Sequence, residues 1–245
     1  MSNIAVKKEF HEFGKYIQIV AILTILSITT GITGLIASIF VFVALGCIKR
    51  ANYLLNNSSL DELRSNYIKG FISKICGTII LVTGVGSLVL FFFIPFPVYI
   101  AIPLSIILIG SGLLFIYIGV GAEVKAWKSL KIFFENNSKM FPANISKEAI
   151  EGCDKLKTGT ILSALGFLII PGIIGFIYQI KGYFKLATLN KLSTYDASKT
   201  VELETNLPEP QPVNNLEGKI SFCPNCGTKL SGLGRFCALC GSEIN

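Results

Sequence analysis

The chain carries few charged residues for its length. Asp, Glu, Lys and Arg make up 15% of its 245 residues, whereas soluble domains average about 25%. The charges are also uneven, because long stretches have none and most charges fall between those stretches. This distribution excludes a soluble globular enzyme, a disordered chain and a disulfide-stapled secreted miniprotein. It predicts an integral membrane protein with polar connections.

The long apolar stretches also lack Asp, Glu, Arg and His. Proton-coupled transporters usually need a carboxylate within the membrane, and intramembrane hydrolases need a nucleophile with a base. The chain has a single histidine, His11, which lies near the charged N-terminus and is expected to be a solvated surface residue. Lys74 and Gln179 are placed near helix ends. The sequence therefore predicts no catalytic residues, no cofactor-binding residues and no enzymatic activity.

Three apolar blocks remain, at residues 16–48, 71–122 and 158–189. A hydrocarbon core of about 30 Å needs roughly 20 helical residues, so the middle block contains two helices, at about 71–94 and 98–122. Each outer block is long for one span and short for two. The predicted fold class is an all-α polytopic membrane protein with six spans in helical hairpins, and the alternative is four spans.

The distribution of the 22 Lys and Arg residues distinguishes these two arrangements. If every block is a hairpin, turning at Thr30-Gly31, at residues 95–97 and at Pro171-Gly172, all basic residues lie on one side of the membrane. If the outer blocks are single spans, the basic residues divide almost evenly between the two sides. Only the hairpin arrangement satisfies the positive-inside rule. We therefore expect six spans in the cell membrane with both termini cytoplasmic.

The same rule explains the net charge of +7, because basic residues collect where helices meet anionic lipid. No nucleic-acid recognition motif accompanies these residues, and no nucleic-acid partner is expected. The four-span alternative has its own support, because glycosylation sequons at Asn56, Asn57, Asn136 and Asn144 all lie in the two large loops. Those sequons would be usable only if the loops faced outward.

The polar loops contain two local patterns. Ser59 followed by Glu62 predicts a capping box ahead of the second block. In residues 123–134, lysines at helical spacing alternate with large apolar side chains. Two interpretations fit this second pattern: an interfacial helix lying on anionic headgroups, or a membrane helix that continues into the cytoplasm with a solvated basic face.

Glycine recurs along the apolar blocks, where small residues allow helices to approach closely in lipid. The simplest interpretation is a tightly packed bundle, although a pore or a homo-oligomer face would need the same residues. The glycines concerned are Gly77, Gly84, Gly86, Gly110, Gly112, Gly119, Gly121, Gly166, Gly172, Gly175 and Gly182.

After the third block the composition changes. Residues 193–219 contain few large apolar side chains, several acidic residues and the run Pro208-Glu209-Pro210-Gln211-Pro212. Such a segment cannot bury enough apolar surface to offset its ordering entropy. The predicted domains are a transmembrane bundle at 1–192, a disordered linker at 193–219 and a small module at 220–245.

That module contains four of the seven cysteines, at Cys223, Cys226, Cys237 and Cys240. Two pairs with a two-residue gap can supply four thiolates to one ion, and a closed set of four thiolates is typical of structural Zn²⁺. The alternatives are a redox dithiol or two disulfides, which are uncommon in a reducing cytoplasm. The spacing predicts one structural zinc ion per chain. Cys47, Cys76 and Cys153 lack such spacing.

Residues 221–243, with the first knuckle Cys223-Pro224-Asn225-Cys226-Gly227, resemble the short zinc-ribbon domain appended to many prokaryotic membrane and regulatory proteins. The resemblance covers about a tenth of the chain and implies zinc binding and protein contacts rather than a reaction. The bundle is similar, much more loosely, to archaeal multi-pass membrane proteins with glycine-rich helices and a tail ribbon, which transfers no activity.

These features together predict a non-enzymatic membrane scaffold or sensor embedded in the lipid bilayer, whose tethered zinc ribbon recruits a cytoplasmic protein. The alternative is a small channel or transporter subunit with the ribbon as a regulatory tail. Either protein could form homo-oligomers.

Overall fold

The computed structural model describes residues 2–30, 32–90, 98–166 and 168–192, all within the first of two units, Met1–Thr200. This part of the chain is helical and contains no strand, so the prediction of an all-α fold is confirmed for it. The helices are α1 (Ser2–Thr30), α2 (Ile32–Leu55), α3 (Ser58–Leu90), α4 (Val98–Asn136), α5 (Ala143–Ala164) and α6 (Ile169–Ala187). The predicted linker and the four tail cysteines lie outside the described residues.

The helices pack as three hairpins, α1 with α2, α3 with α4, and α5 with α6. The hairpins are joined by contacts of α2 with α3, of α4 with α5 and of α1 with α6, so the described bundle closes on itself as a ring. The first and third apolar blocks thus each form two helices, as the hairpin prediction requires.

The turn of the third hairpin differs from the prediction. It lies between Ala164, where α5 ends, and Ile169, where α6 begins. Leu165 and Gly166 donate backbone hydrogen bonds to Leu162 and Ser163, and Pro171 is already inside α6. Proline is compatible with the first turn of a helix because the N–H it lacks would have no intrahelical partner there. The placement of this turn at Pro171-Gly172 was therefore wrong.

Three helices are long and apolar enough to cross a membrane, through Ile36–Leu55 in α2, Ser58–Val89 in α3 and Ile102–Asn136 in α4. These segments support the prediction of a transmembrane protein in a lipid bilayer. In the described residues, α1, α5 and α6 contain no segment of that length and hydropathy.

The bundle has two ends with opposite surfaces. The buried apolar core lies at the end that carries the charged residues. There, Phe10 stacks on Phe133 with ring centroids 5.3 Å apart, and Phe134 and Phe141 meet the same ring edge-on. At the other end the large apolar side chains point outward, and Ile169 and Ile170 are 76% and 73% exposed.

Each hairpin is also joined by an ion pair between its two helices near the packed end. Opposite charges on antiparallel neighbours hold each pair of helices in one register. The pairs are Glu9 with Arg50 at 2.8 Å, Lys74 with Glu123, and Glu151 with Lys185.

The structure distinguishes the two interpretations of residues 123–134. Helix α4 is continuous through this segment, and the apolar side chains of Trp127, Leu130, Phe133 and Phe134 are at most 2% exposed in the protein core. They therefore cannot rest on lipid headgroups. The segment is a membrane helix that continues into a packed helical layer.

The predicted capping box at the start of α3 is also wrong. The capping group is Asn57, whose Oδ1 accepts a hydrogen bond from the Ser59 backbone N–H at 3.0 Å. Glu62 does not reach back to the helix start but accepts a hydrogen bond from Ser129 on α4 at 3.1 Å.

Candidate functional site

The ion pair of the second hairpin is the most buried charged group in the described residues. Lys74 on α3 donates to Oε2 of Glu123 on α4, and their side chains are 35% and 8% exposed. The second carboxylate oxygen, Oε1, accepts from the indole Nε1 of Trp127 at 3.3 Å. Because Trp127 follows Glu123 by one helical turn, α4 supplies both the carboxylate and one of its donors.

Two glycines allow α3 and α4 to approach at this pair. A Cβ atom on Gly119 would lie 2.6 Å from Lys74 Cγ and 2.7 Å from the Gly70 carbonyl oxygen. A Cβ on Gly70 would lie 2.7 Å from the Gly119 carbonyl oxygen and 3.0 Å from the Glu123 backbone nitrogen. The backbones therefore meet only because neither position has a side chain, and this contact sets the distance between Lys74 and Glu123.

A cavity of about 510 Å³ opens beside the ion pair. Its lining combines polar groups, aromatic rings and aliphatic side chains from α2, α3, α4 and α6. The lining residues are Ser38, Tyr67, Phe71, Lys74, Ile75, Thr78, Ile79, Glu123, Gln179 and Tyr183.

A second cavity, of about 220 Å³, lies toward α1 and shares four of these residues, Ser38, Tyr67, Gln179 and Tyr183. Its other polar groups are the hydroxyls of Thr24 and Ser27. Together, the two cavities are lined by polar side chains from all three hairpins.

Tyr67 and Tyr183 line both cavities and belong to the packed core. They are 7% and 8% exposed, and both rings meet Trp127 edge-on, with centroids 5.6 and 6.2 Å away. This aromatic cluster is held rigidly because each ring packs on another.

A close approach of α5 and α6 positions Gln179, just as the close approach of α3 and α4 positions Lys74. A Cβ on Gly159 would lie 2.8 Å from Gln179 Cγ, and a Cβ on Gly175 would lie 2.6 Å from the Ser163 backbone nitrogen. The close approach of α5 and α6 lets Gln179 Nε2 donate to Ser163 Oγ at 3.1 Å.

Sequence reasoning missed this site. Glu123 directly follows the apolar block that ends at residue 122, which places it in the polar loop. The positions of Lys74 and Gln179 predict only helix-end residues. The available signal was the seven-residue spacing of Gly70, Gly77 and Gly84, which predicts a close helix contact beside Lys74.

The remaining candidate residues fall elsewhere. The predicted zinc ligands Cys223, Cys226, Cys237 and Cys240 lie outside the described residues. Within the described part of the chain, no group of three or more His, Cys, Asp or Glu side chains could hold a metal ion. Among the other cysteines, Cys47 and Cys153 are buried and Cys76 is exposed.

His11 is not the solvated surface residue that was expected. It is partly buried, and its Nδ1 atom is inaccessible to solvent and lacks a hydrogen-bond partner.

Comparison of the chain with protein-family models, curated proteins and solved structures gave no match.

Proposed function

We propose that this chain is a non-enzymatic membrane sensor or scaffold, in which six helices enter the membrane as three hairpins and a zinc ribbon recruits a cytoplasmic protein. The observation that carries the proposal is the division of the bundle into a packed, charged end and an apolar, exposed end. Exposed apolar patches of this extent are unfavourable in water and are stable against lipid tails.

The third hairpin supports the entry of all six helices. Its tip presents Leu168, Ile169, Ile170 and Ile173, each at least 49% exposed. Its apolar part is shorter than a full span, and Lys181 and Lys185 near the other end can extend toward the headgroups.

Continuous helices make the bundle suitable for a sensor. Leu63 of α3 is fully buried in the packed end, while Gly77 of the same helix contacts α4 at membrane level. A displacement of α3 in the membrane would therefore move side chains in the packed layer. The helix that precedes the tail in the sequence, α6, also contributes to this layer.

The recruiting module is the proposed ribbon, with Cys223, Cys226, Cys237 and Cys240 as its zinc ligands. Its support is the spacing of the two cysteine pairs and the resemblance of residues 221–243 to short zinc ribbons. Four thiolates would hold Zn²⁺ in a closed tetrahedral site that stabilises the fold of the module and leaves no position for a substrate.

The test uses the full chain, purified in a non-ionic detergent. We expect one zinc ion per chain and chelator-sensitive capture of a specific protein from cytoplasmic extract. A Cys237→Ser/Cys240→Ser variant should lose both properties, whereas Cys76→Ser, which changes an exposed cysteine outside the tail, should keep both. Zinc content well below one per chain, or identical capture by both variants, would contradict the proposal.

The cavity supports a second candidate function, a small channel or transporter subunit. Polar residues of three hairpins surround it, as expected for a path that conducts a polar solute. Purified chain reconstituted into vesicles should then accelerate uptake of a labelled solute such as methylammonium, and Glu123→Gln should slow it. Uptake equal to that of empty vesicles would exclude this function for the solute tested.

A further inference from the structure

The serine and threonine hydroxyl groups that line the two cavities present acceptors rather than donors. Ser38 donates to the Gly34 carbonyl at 3.0 Å, Thr24 to Val20 at 2.7 Å and Thr78 to Lys74 at 2.8 Å. Each proton is used within its own helix, so the oxygen lone pairs remain for a ligand. Gln179 donates one of its two amide N–H groups to Ser163 Oγ, and its Oε1 remains as an acceptor. The lining therefore favours a ligand that donates hydrogen bonds.

Glu123 already binds an alkylammonium group, the side chain of Lys74. That side chain is 35% exposed and has a flexible four-carbon stem, so it can leave the carboxylate and extend to the membrane surface. A second ammonium group can then take its place without leaving Glu123 buried and unpaired, which is the costly state. The Lys74 side chain therefore competes with a ligand for the Glu123 carboxylate.

The apolar side chains that line the cavity favour a ligand whose ammonium group carries a carbon portion. Tyr67, Phe71 and Tyr183 offer aromatic rings, and Ile75 and Ile79 offer aliphatic surface. Aromatic faces attract alkylammonium ions by cation–π interaction. A bare inorganic cation would need a cage of oxygen ligands. An anion could pair only with Lys74, which would leave Glu123 buried and unpaired. A volume of about 510 Å³ falls in the usual range for small-ligand pockets.

We propose that this cavity binds an organic ammonium group, with its nitrogen at Glu123 in place of Lys74 and its carbon portion against Tyr67, Phe71 and Tyr183. The ammonium group can belong to a free amine or to the headgroup of a zwitterionic lipid. The inference goes beyond the proposed function, because binding at Glu123 requires neither the tail nor a partner protein.

The chain contains a built-in probe for this site. Trp127 is its only tryptophan and donates to Glu123, so its fluorescence reports directly on the carboxylate. The full chain is purified in a non-ionic maltoside detergent and sodium phosphate buffer, which exclude other amines. It is titrated with n-butylammonium, diethylammonium and dihexanoyl phosphatidylethanolamine, with butyrate, potassium and dihexanoyl phosphatidylglycerol as controls.

We expect a saturable change in Trp127 emission with at least one ammonium compound and none with the three controls. The responding compounds identify the source, because a response to the free amines indicates a soluble ligand and a response to the phosphatidylethanolamine alone indicates a lipid headgroup. Saturation by butyrate, or an equal response to potassium, would overturn the proposal, as would no response to any ammonium compound in both wild type and Lys74→Met.

Variants test the role of each charge. Lys74→Met removes the competitor and should lower the half-saturating concentration at least tenfold. The double variant Lys74→Met/Glu123→Gln has no buried unpaired charge, should remain folded by circular dichroism, and should lose the response. Lys185→Met breaks the corresponding ion pair of the third hairpin, away from the cavity, and should bind as wild type does. Unchanged affinity in Lys74→Met, or binding retained by the double variant, would refute the assignment.

Discussion

Glycines two positions apart in α4 have opposite surroundings. A Cβ on Gly112 would lie 2.7 Å from the Leu81 backbone nitrogen and 2.9 Å from the Gly77 carbonyl oxygen, whereas a Cβ on Gly110 would meet nothing within 4 Å. The first glycine therefore allows the contact between α3 and α4, and the second has no packing role in the described bundle.

We expect Gly112→Ala to destabilise the hairpin by about 1–3 kcal/mol, the usual cost of overpacking against backbone atoms. Gly110→Ala should be neutral, or stabilising by up to about 1 kcal/mol, because alanine favours the helix. Thermal unfolding in detergent, followed by Trp127 fluorescence, measures both. Equal unfolding temperatures for the two variants would contradict the assigned contact.

At the scale of single residues, the sequence predicted which residue types make helix contacts but not which residues they contact. The glycine spacing predicts close helix contacts, and Gly77, Gly112 and Gly175 make such contacts. The pairing of Lys74 with Glu123 was not predictable, because the two residues are separated by 49 positions and meet only through the geometry of the hairpin. The burial of His11 Nδ1 likewise depends on neighbours that the sequence does not identify.

Helix α3 begins at a cap that differs from the predicted one. Asn57 Oδ1 caps the helix through the Ser59 backbone N–H, and the Asn57 backbone N–H donates to Asn52 Oδ1 at 2.7 Å. The tight connection from α2 to α3 also places Asn56 at a positive φ of 48°, which asparagine tolerates better than most residues. The local turn thus overrode the Ser59–Glu62 pattern.

We expect Asn57→Ala to lower stability by about 1 kcal/mol, the typical effect of losing an N-cap side chain. Ser59→Ala should have little effect, because Ser59 contributes its backbone N–H, which alanine retains. Chemical unfolding of both variants in the same detergent provides the measurement. A larger loss in Ser59→Ala than in Asn57→Ala would restore the capping-box interpretation.

Helices α4 and α5 are joined by Lys131 and Asp154 at 2.7 Å, with Lys157 also at 3.3 Å from Asp154. Burial by itself would raise the pKa of the Asp154 carboxyl, but the hydrogen bonds from Lys131 and Lys157 outweigh it and hold that pKa below its ordinary value. The carboxylate therefore stabilises the folded state at neutral pH. This contribution is lost as the pH falls below the ordinary value of about 3.9 and through the lowered pKa of the folded protein.

We expect Asp154→Asn to cost less than about 1 kcal/mol at pH 7, because the Asp154 side chain is 40% exposed and surface pairs are weak. The difference between the variant and the wild type should diminish as the pH is lowered from 5 toward about 3. Unfolding free energies over this pH range provide the test. A difference that grows on acidification would mean that the sign of the pKa shift is wrong.

Over the whole molecule, the segregation of charge in the sequence predicted the observed arrangement of hairpins, because a hairpin must bring both of its ends to the same side. The segregation of charge could not locate the turn of the third hairpin, because a turn at any of several positions near Pro171 leaves all basic residues on one side. It also could not reveal that the packed core lies at the charged end, because apolar residues in the polar segments look similar whether they face lipid or protein.

The hairpin topology predicts one-sided accessibility. With exposed cysteines removed, a single cysteine at Asn56 or Lys139 should react with an impermeant thiol reagent only in inside-out vesicles. A cysteine at Gly166, in the turn of the third hairpin, should not react in that orientation. Labelling at Asn56 from outside intact cells would instead support the four-span topology and make the sequons there usable.

The ring formed by the six helices also constrains the order in which the molecule is made. Phe10 of α1 is buried in a core completed by α6 and the residues after it, and Gln18 of α1 accepts a hydrogen bond from Asn190 at 2.6 Å. During synthesis, α1 must therefore wait for α6 before its apolar face is covered. The first and third hairpins thus depend on each other. The bundle therefore finishes packing only after the segment that precedes the tail has been synthesised. A chain with an accessible tail is then a chain whose six helices have all been made.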